Sequence, residues 1–209
     1  MKKHLFVVAL LGILFNTNFL QANPGEEKYP TIELGATLPA ATVKMKDISG
    51  SMTSLKEQVK SNGLLVMFSC NTCPFVVMWE DRYDEIRDYC AKNNIGFVLV
   101  NSNEMKRTGD DSFEEMKKHA AKNKYNCLYT VDENSAVANA FGAKTTPHIF
   151  LFNKSQKLVY KGAIDDNYKN AKEVKEKYLM NAMANLVAGK SISPNSTNPV
   201  GCSVKRKVD

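Results

Sequence analysis

Leu64-Leu65-Val66-Met67-Phe68-Ser69-Cys70-Asn71-Thr72-Cys73-Pro74 decides the fold of this chain. Five consecutive apolar residues, Leu64 to Phe68, suit a strand covered on both faces. Directly after it come two cysteines three residues apart and a proline, which is tolerated in the first turn of a helix. Val77, Trp79, Tyr83, Ile86 and Cys90 then recur at roughly helical spacing among Glu80, Asp81, Asp84, Glu85 and Asp88. The segment therefore reads as strand, cysteine pair, helix.

Working outward, Thr42 to Met45 alternates ahead of the turn formers Asp47 to Ser51, which predicts an N-terminal hairpin followed by a short helix over 54–60. Downstream, 95–100 reads as a second apolar strand, and Ser112 with Glu115 offers a capping box for a helix to Lys122. A short strand near Leu128 to Thr130 and a helix over 135–141 lead to Thr145-Thr146-Pro147. The segments 148–152 and 157–161 form a strand pair, 171–188 the last helix, and 189–209 a flexible polar tail. Strands alternating with helices imply an α/β fold, with a central mixed sheet flanked by helices and the site at the carboxyl ends of the strands.

Composition fits one ordinary globular domain with extensions: 209 residues, 44% hydrophobic, 24% charged. The opening segment, two lysines and then an apolar run from Leu5 to Phe15, reads as a secretory signal over 1–22, with an uncleaved anchor as the alternative. Residues 23–34 read as a linker, 35–189 as the domain and 190–209 as the tail. The expectation is an exported chain, periplasmic or secreted, with no stable membrane insertion once the signal is removed. The net charge of +6 is spread thinly rather than gathered into a basic face, which argues against nucleic acid as partner.

Five cysteines, Cys70, Cys73, Cys90, Cys127 and Cys202, are an odd number, which argues against a purely structural disulfide framework. Zinc would need two further ligands, and no second Cys-x-x-Cys or His-x-x-x-His follows Cys73. What remains is redox chemistry. A helix N-terminus favours a thiolate, and on that ground Cys70 is the expected nucleophile and Cys73 the resolving thiol. Cys90 on the core face reads as a small hydrophobe, and Cys127 similarly. Cys202, after Pro199-Val200-Gly201, is a candidate additional redox thiol, because a tail of this length can reach the site. Asn101, Asn103 and Glu104 follow a strand and read as a solvated loop, with the rim of the site as the alternative. No cofactor and no resident metal are expected.

Cys-Asn-Thr-Cys-Pro-Phe after an apolar strand, Thr-Thr-Pro-His-Ile-Phe-Leu-Phe before a hairpin and the opening Gly-Ala-Thr-Leu-Pro-Ala-Ala-Thr-Val-Lys-Met together resemble the thioredoxin-like superfamily, in its redoxin branch (alkyl hydroperoxide reductase and thiol-specific antioxidant). Gly201-Cys202-Ser203-Val204-Lys205 is similar to the tail of a peroxiredoxin-like subgroup. The resemblance implies that Pro147 is a cis-proline facing the cysteines and that Thr146 offers backbone hydrogen bonds to a thiol partner. It implies a thiol-disulfide oxidoreductase acting on protein or small-molecule thiols and disulfides, together with a redox partner.

Three departures matter. Gly63 and Met67 stand where a peroxidatic site has proline and a hydroxyl residue, so dithiol exchange is favoured over a thiol-dependent peroxidase. Ser69 replaces the tryptophan that precedes the first cysteine in many thioredoxins. The strand 64–68 also offers no acid beneath the second cysteine. A copper-binding chaperone, with His148 joining Cys70 and Cys73, is the non-enzymatic alternative.

Overall fold

The computed structural model describes residues 28–207. The segment read as a signal lies outside the described residues. Nine strands and five helices follow one another as β1 (Met45–Asp47), β2 (Met52–Thr53), β3 (Leu64–Ser69), α1 (Pro74–Trp79), α2 (Tyr83–Lys92), β4 (Gly96–Asn101), α3 (Phe113–Lys122), β5 (Leu128–Val131), α4 (Ala136–Phe141), β6 (Thr145–Thr146), β7 (His148–Phe152), β8 (Leu158–Gly162), α5 (Tyr178–Val187) and β9 (Cys202–Ser203).

Seven strands form one mixed sheet in the order β2-β1-β5-β4-β3-β7-β8. β3 is an interior strand, parallel to β4 and antiparallel to β7. The expected N-terminal hairpin is β1 and β2, attached to the sheet through β5. Because side chains alternate across a strand, β3 feeds two cores. Leu65 and Met67 pack with Trp79, Tyr83, Ile86 and Cys90 of the first two helices, with Met116 of α3 and with Leu179 and Met183 of α5. Leu64, Val66 and Phe68 pack on the other face with Val137 and Phe141 of α4 and with Leu38, Leu55 and Val204. All six residues of β3 are buried, as its unbroken apolar run requires.

Several expected elements differ. The helix over 54–60 is a single 3-10 turn, Lys56–Gln58, because Leu55 alone in this stretch reaches the core fully and one anchor does not sustain a helix. The helix over 171–188 is a 3-10 turn at Ala171–Glu173 followed by α5. Lys172, Glu173, Lys175, Glu176 and Lys177 give the first half no apolar face, and its backbone instead pairs with the preceding loop, Lys175 N–H donating to Asp166 Oδ1 at 3.0 Å. The helix after Cys73 is interrupted by a 3-10 turn at Glu80–Arg82, and its first turn buries Val76 and leaves Val77 exposed, a shift of one position from the expected face. Ser112 accepts from the Glu115 amide at 3.4 Å, the serine half of the expected capping box.

The tail is the largest difference. It is no flexible extension: Lys161 N–H donates to the Asn195 carbonyl and Thr197 N–H to that of Lys161, tying the tail to β8. Further on, β9 pairs with β6, and Val204 is buried in the second core.

Candidate active site

β3, an interior strand of the sheet, delivers Cys70 just past its carboxyl end, and α1 begins at Pro74 with Cys73 as its N-cap, in extended conformation. Asn71 and Thr72 bridge the two. Asn71 is buried and held from below: its N–H donates to Asp111 Oδ1 at 2.8 Å, and the Tyr129 hydroxyl donates to its Oδ1 at 2.8 Å. The wholly buried Asp111 also accepts from Asn101 Nδ2 at 2.8 Å and Asn103 Nδ2 at 3.0 Å. Asn101 and Asn103 are therefore buried supports of the cysteine loop rather than a solvated loop. A carboxylate surrounded by three N–H donors can stay buried because its oxygens are satisfied, and it fixes the loop by what it accepts.

Asp111 was not legible as a site residue. The acid sought in β3 is absent there, and the one present arrives forty residues later, from the loop before α3. The available signal was the pair of asparagines at the carboxyl end of β4, where α/β sheets collect their polar site residues.

From the other side comes the Thr146–Pro147 peptide, which is cis as expected. Thr146 is fully buried, with its Oγ1 3.3 Å from Cys70 Sγ, while the Cys73 thiol lies within hydrogen-bond distance of its carbonyl, at 3.2 Å. The expectation that Thr146 presents its backbone to a partner meets a different finding: that backbone already pairs with the chain's own β9. Thr146 stands opposite Cys202 and Thr145 opposite Ser203, antiparallel. Cys202 packs against Cys70, Cys73 and Val76, so three of the five thiols form one cluster.

Charge is divided unevenly within it. The neighbouring Cys70, and after it the Cys202 thiol and the amides of Val76 and Cys202, pull Cys73 down to about 5 against the opposing effect of burial. Cys70 is pushed up by the neighbouring Cys73 and then by burial, with Asp111 adding repulsion. The helix-terminus argument made for Cys70 therefore bears on Cys73, because the helix starts at Pro74 and Cys73 is its N-cap. We expect the reduced protein to lose one thiolate absorbance at 240 nm as pH falls through about 5, and Cys73→Ser to abolish that step. A first thiolate appearing only above pH 8 would refute this division.

The remaining candidates lie elsewhere. Cys90 is buried, pushed up to about 12 by burial, and its thiol points at Met183 Sδ at 3.6 Å. Cys127 is pushed up to about 12 by the same cause. His148 is buried with its Nδ1 accepting from Lys144 N–H at 3.1 Å. Among the described residues no group of three or more His, Cys, Asp or Glu could hold a metal ion. Ser69 is buried with its Oγ 3.2 Å from the Tyr83 hydroxyl, filling the place of the missing tryptophan with a polar pair.

A thioredoxin-like fold with a cysteine pair at the end of an interior strand, set against a cis-proline loop, defines a thiol-redox enzyme. The chain belongs to the Redoxin family, whose model matches residues 33–177. Among solved structures it is similar to a hypothetical protein from Sinorhizobium meliloti, with 30% identity and a TM-score of 0.78 over 87% of this chain and 98% of that one. It is also similar to an uncharacterized conserved protein from Geobacillus kaustophilus, with 29% identity and a TM-score of 0.79 over 87% and 96%. A peroxidoxin from Mycobacterium tuberculosis shares the fold at 15% identity, with a TM-score of 0.59 over 77% of this chain and 99% of that one. No curated protein matches.

Proposed function

We propose that this protein is an exported thiol-disulfide oxidoreductase that uses Cys70 and Cys73 as a redox-active dithiol, in a peroxiredoxin-like subgroup marked by Cys-x-x-Cys and the Gly-Cys-Ser-x-Lys tail. The observation that carries this reading is the packed pair of Cys70 and Cys73, each held by Thr146 of the cis Thr146–Pro147 loop. Cys70 passes its proton to Cys73 and attacks one sulfur of a partner disulfide. This forms a mixed disulfide and expels a partner thiolate, which takes the proton from Cys73. The Cys73 thiolate then displaces the second partner thiolate from Cys70, closing the 70–73 disulfide. The partner gains two electrons and the dithiol loses them.

The low position of Cys73 supports this order, since an acidic thiol is the better leaving group. When an incoming thiol opens the 70–73 disulfide, it attacks Cys70 and Cys73 departs, and the forward reaction retraces that path. Thr146 and Pro147 position the pair. Export rests on the character of residues 1–22, and it would place the protein where disulfides persist. Partners are protein or small-molecule thiols and disulfides and a second redox protein. Nucleic acid is not among them, and no stable membrane insertion follows removal of the signal.

Reduction of insulin disulfides by the full chain with a dithiol donor, with a single midpoint potential for the 70–73 pair, is the expected result. Peroxide consumption faster than insulin reduction would instead establish the peroxidase, and stoichiometric copper on an exchange-inactive protein the chaperone.

A further inference from the structure

We infer that Cys202 is a third redox thiol which forms a disulfide with Cys73 in alternation with the 70–73 bond, and that β9 is a built-in occupant of the edge on which a partner's chain would pair. The inference rests on the proposed dithiol chemistry and extends it to the tail.

Four observations converge. The first is register: in the antiparallel pair of β6 and β9, Cys202 stands directly opposite Thr146, the residue that touches both Cys70 and Cys73. Second, Cys202 packs against the buried cluster of Cys70, Cys73 and Val76, so Cys73 has two other thiols beside it with which a bond can form. The third is anchoring. Val204 is buried, Val204 N–H donates to the Lys144 carbonyl at 3.0 Å and Lys205 N–H to Asn103 Oδ1 at 2.9 Å, while Arg206 reaches Asn139 Oδ1 at 2.7 Å. Cys202 is thus held at the site rather than visiting it, and Asn103, which also supports Asp111, joins strap and cysteine loop. The fourth is Gly201. A Cβ there would run into the Thr146 carbonyl, 2.7 Å from its carbon and 3.1 Å from Pro147 N, so only glycine lets the strand lie this close.

Chemically the step is an exchange. The Cys202 sulfur attacks Cys73 in the 70–73 disulfide, the 73–202 bond forms as the 70–73 bond breaks, and the proton of Cys202 passes to the departing Cys70 sulfur. No electrons enter or leave. In the 73–202 form β9 is covalently tied to the start of α1 and so held beside β6. For a partner to pair with Thr145 and Thr146, β9 must be released.

The test uses the full chain, reduced and then equilibrated with mixtures of glutathione and its disulfide, acid-quenched, alkylated and mapped for linked peptides. Wild type is expected to yield both 70–73 and 73–202, in a ratio that stays constant as the glutathione poise changes, because their interconversion is redox-neutral. Cys70→Ser should give 73–202 alone, and Cys202→Ser 70–73 alone. Gly201→Val should cut the 73–202 yield by about tenfold while leaving 70–73 intact, since geometry governs which thiols can join. Cys70→Ser carrying glutathione on Cys73 with Cys202 free would overturn the inference, as would undiminished 73–202 in Gly201→Val. Formation of 70–73 without any 73–202 leaves the dithiol reading standing and removes only Cys202. Failure of Cys202→Ser to form 70–73 would remove the dithiol reading itself.

Discussion

Cys70→Ser abolishes reduction of a protein disulfide, by at least about a thousandfold, whereas Cys73→Ser retains the first step and accumulates partners linked to Cys70. The asymmetry follows from the uneven sharing of one proton. Cys73, held below the usual thiol range, is the better leaving group but the more modest nucleophile, since nucleophilicity falls with thiol acidity. Cys70 is intrinsically the stronger nucleophile once its proton passes to Cys73. Removing Cys73 removes both that proton acceptor and the resolving sulfur, so attack by Cys70 slows and its product persists. Non-reducing electrophoresis after incubation with reduced and oxidised partner pools, followed by peptide mapping, reads the outcome. Mixed disulfides on Cys73 in Cys70→Ser, at yields equal to those on Cys70 in Cys73→Ser, would reverse the roles.

What was legible in the sequence was local. The run from Leu64 to Pro74 carries strand, cysteine pair and helix start within eleven residues, and each element is dictated by its neighbours. The same holds for Thr146-Pro147 followed by the apolar β7. Groups joined across the fold were not legible. Asp111 belongs to the site through hydrogen bonds to residues ten and forty positions away, and nothing in the loop before Ser112 distinguishes it from a solvated acid. Cys202 could be named for its reach, but not for its register against Thr146, because a two-residue strand has no periodicity to read. The division of charge within the pair was not legible for a related reason. The dipole argument depends on which residue is the N-cap, and with the helix starting at Pro74 that residue is Cys73 rather than Cys70.

Phe141→Ala is expected to destabilise the protein by about 3–5 kcal/mol, a large share of the roughly 5–15 kcal/mol that holds a domain together. Phe141 closes α4 and is fully buried on the second face of the sheet, its ring 5.3 Å from Phe68, 5.1 Å from Phe150 and 5.7 Å from Phe152, each edge to face. Truncation removes three aromatic contacts together and leaves a cavity that the flanking strands, fixed by their ladders, cannot collapse to fill. The loss reaches the site by two routes. Phe68 lies two residues before Cys70 on β3, and Phe141 is followed by Gly142 in left-handed conformation and then by the loop that ends in Thr145 and Thr146. Urea unfolding should show a lower midpoint with an unchanged slope, and Phe141→Leu should recover more than half of the loss. The folded fraction of Phe141→Ala should also show weaker 73–202 formation than wild type, since β6 hangs from this helix. A loss below about 1 kcal/mol would mean that the four-ring cluster contributes little and that β6 is held in place by its hydrogen bonds alone.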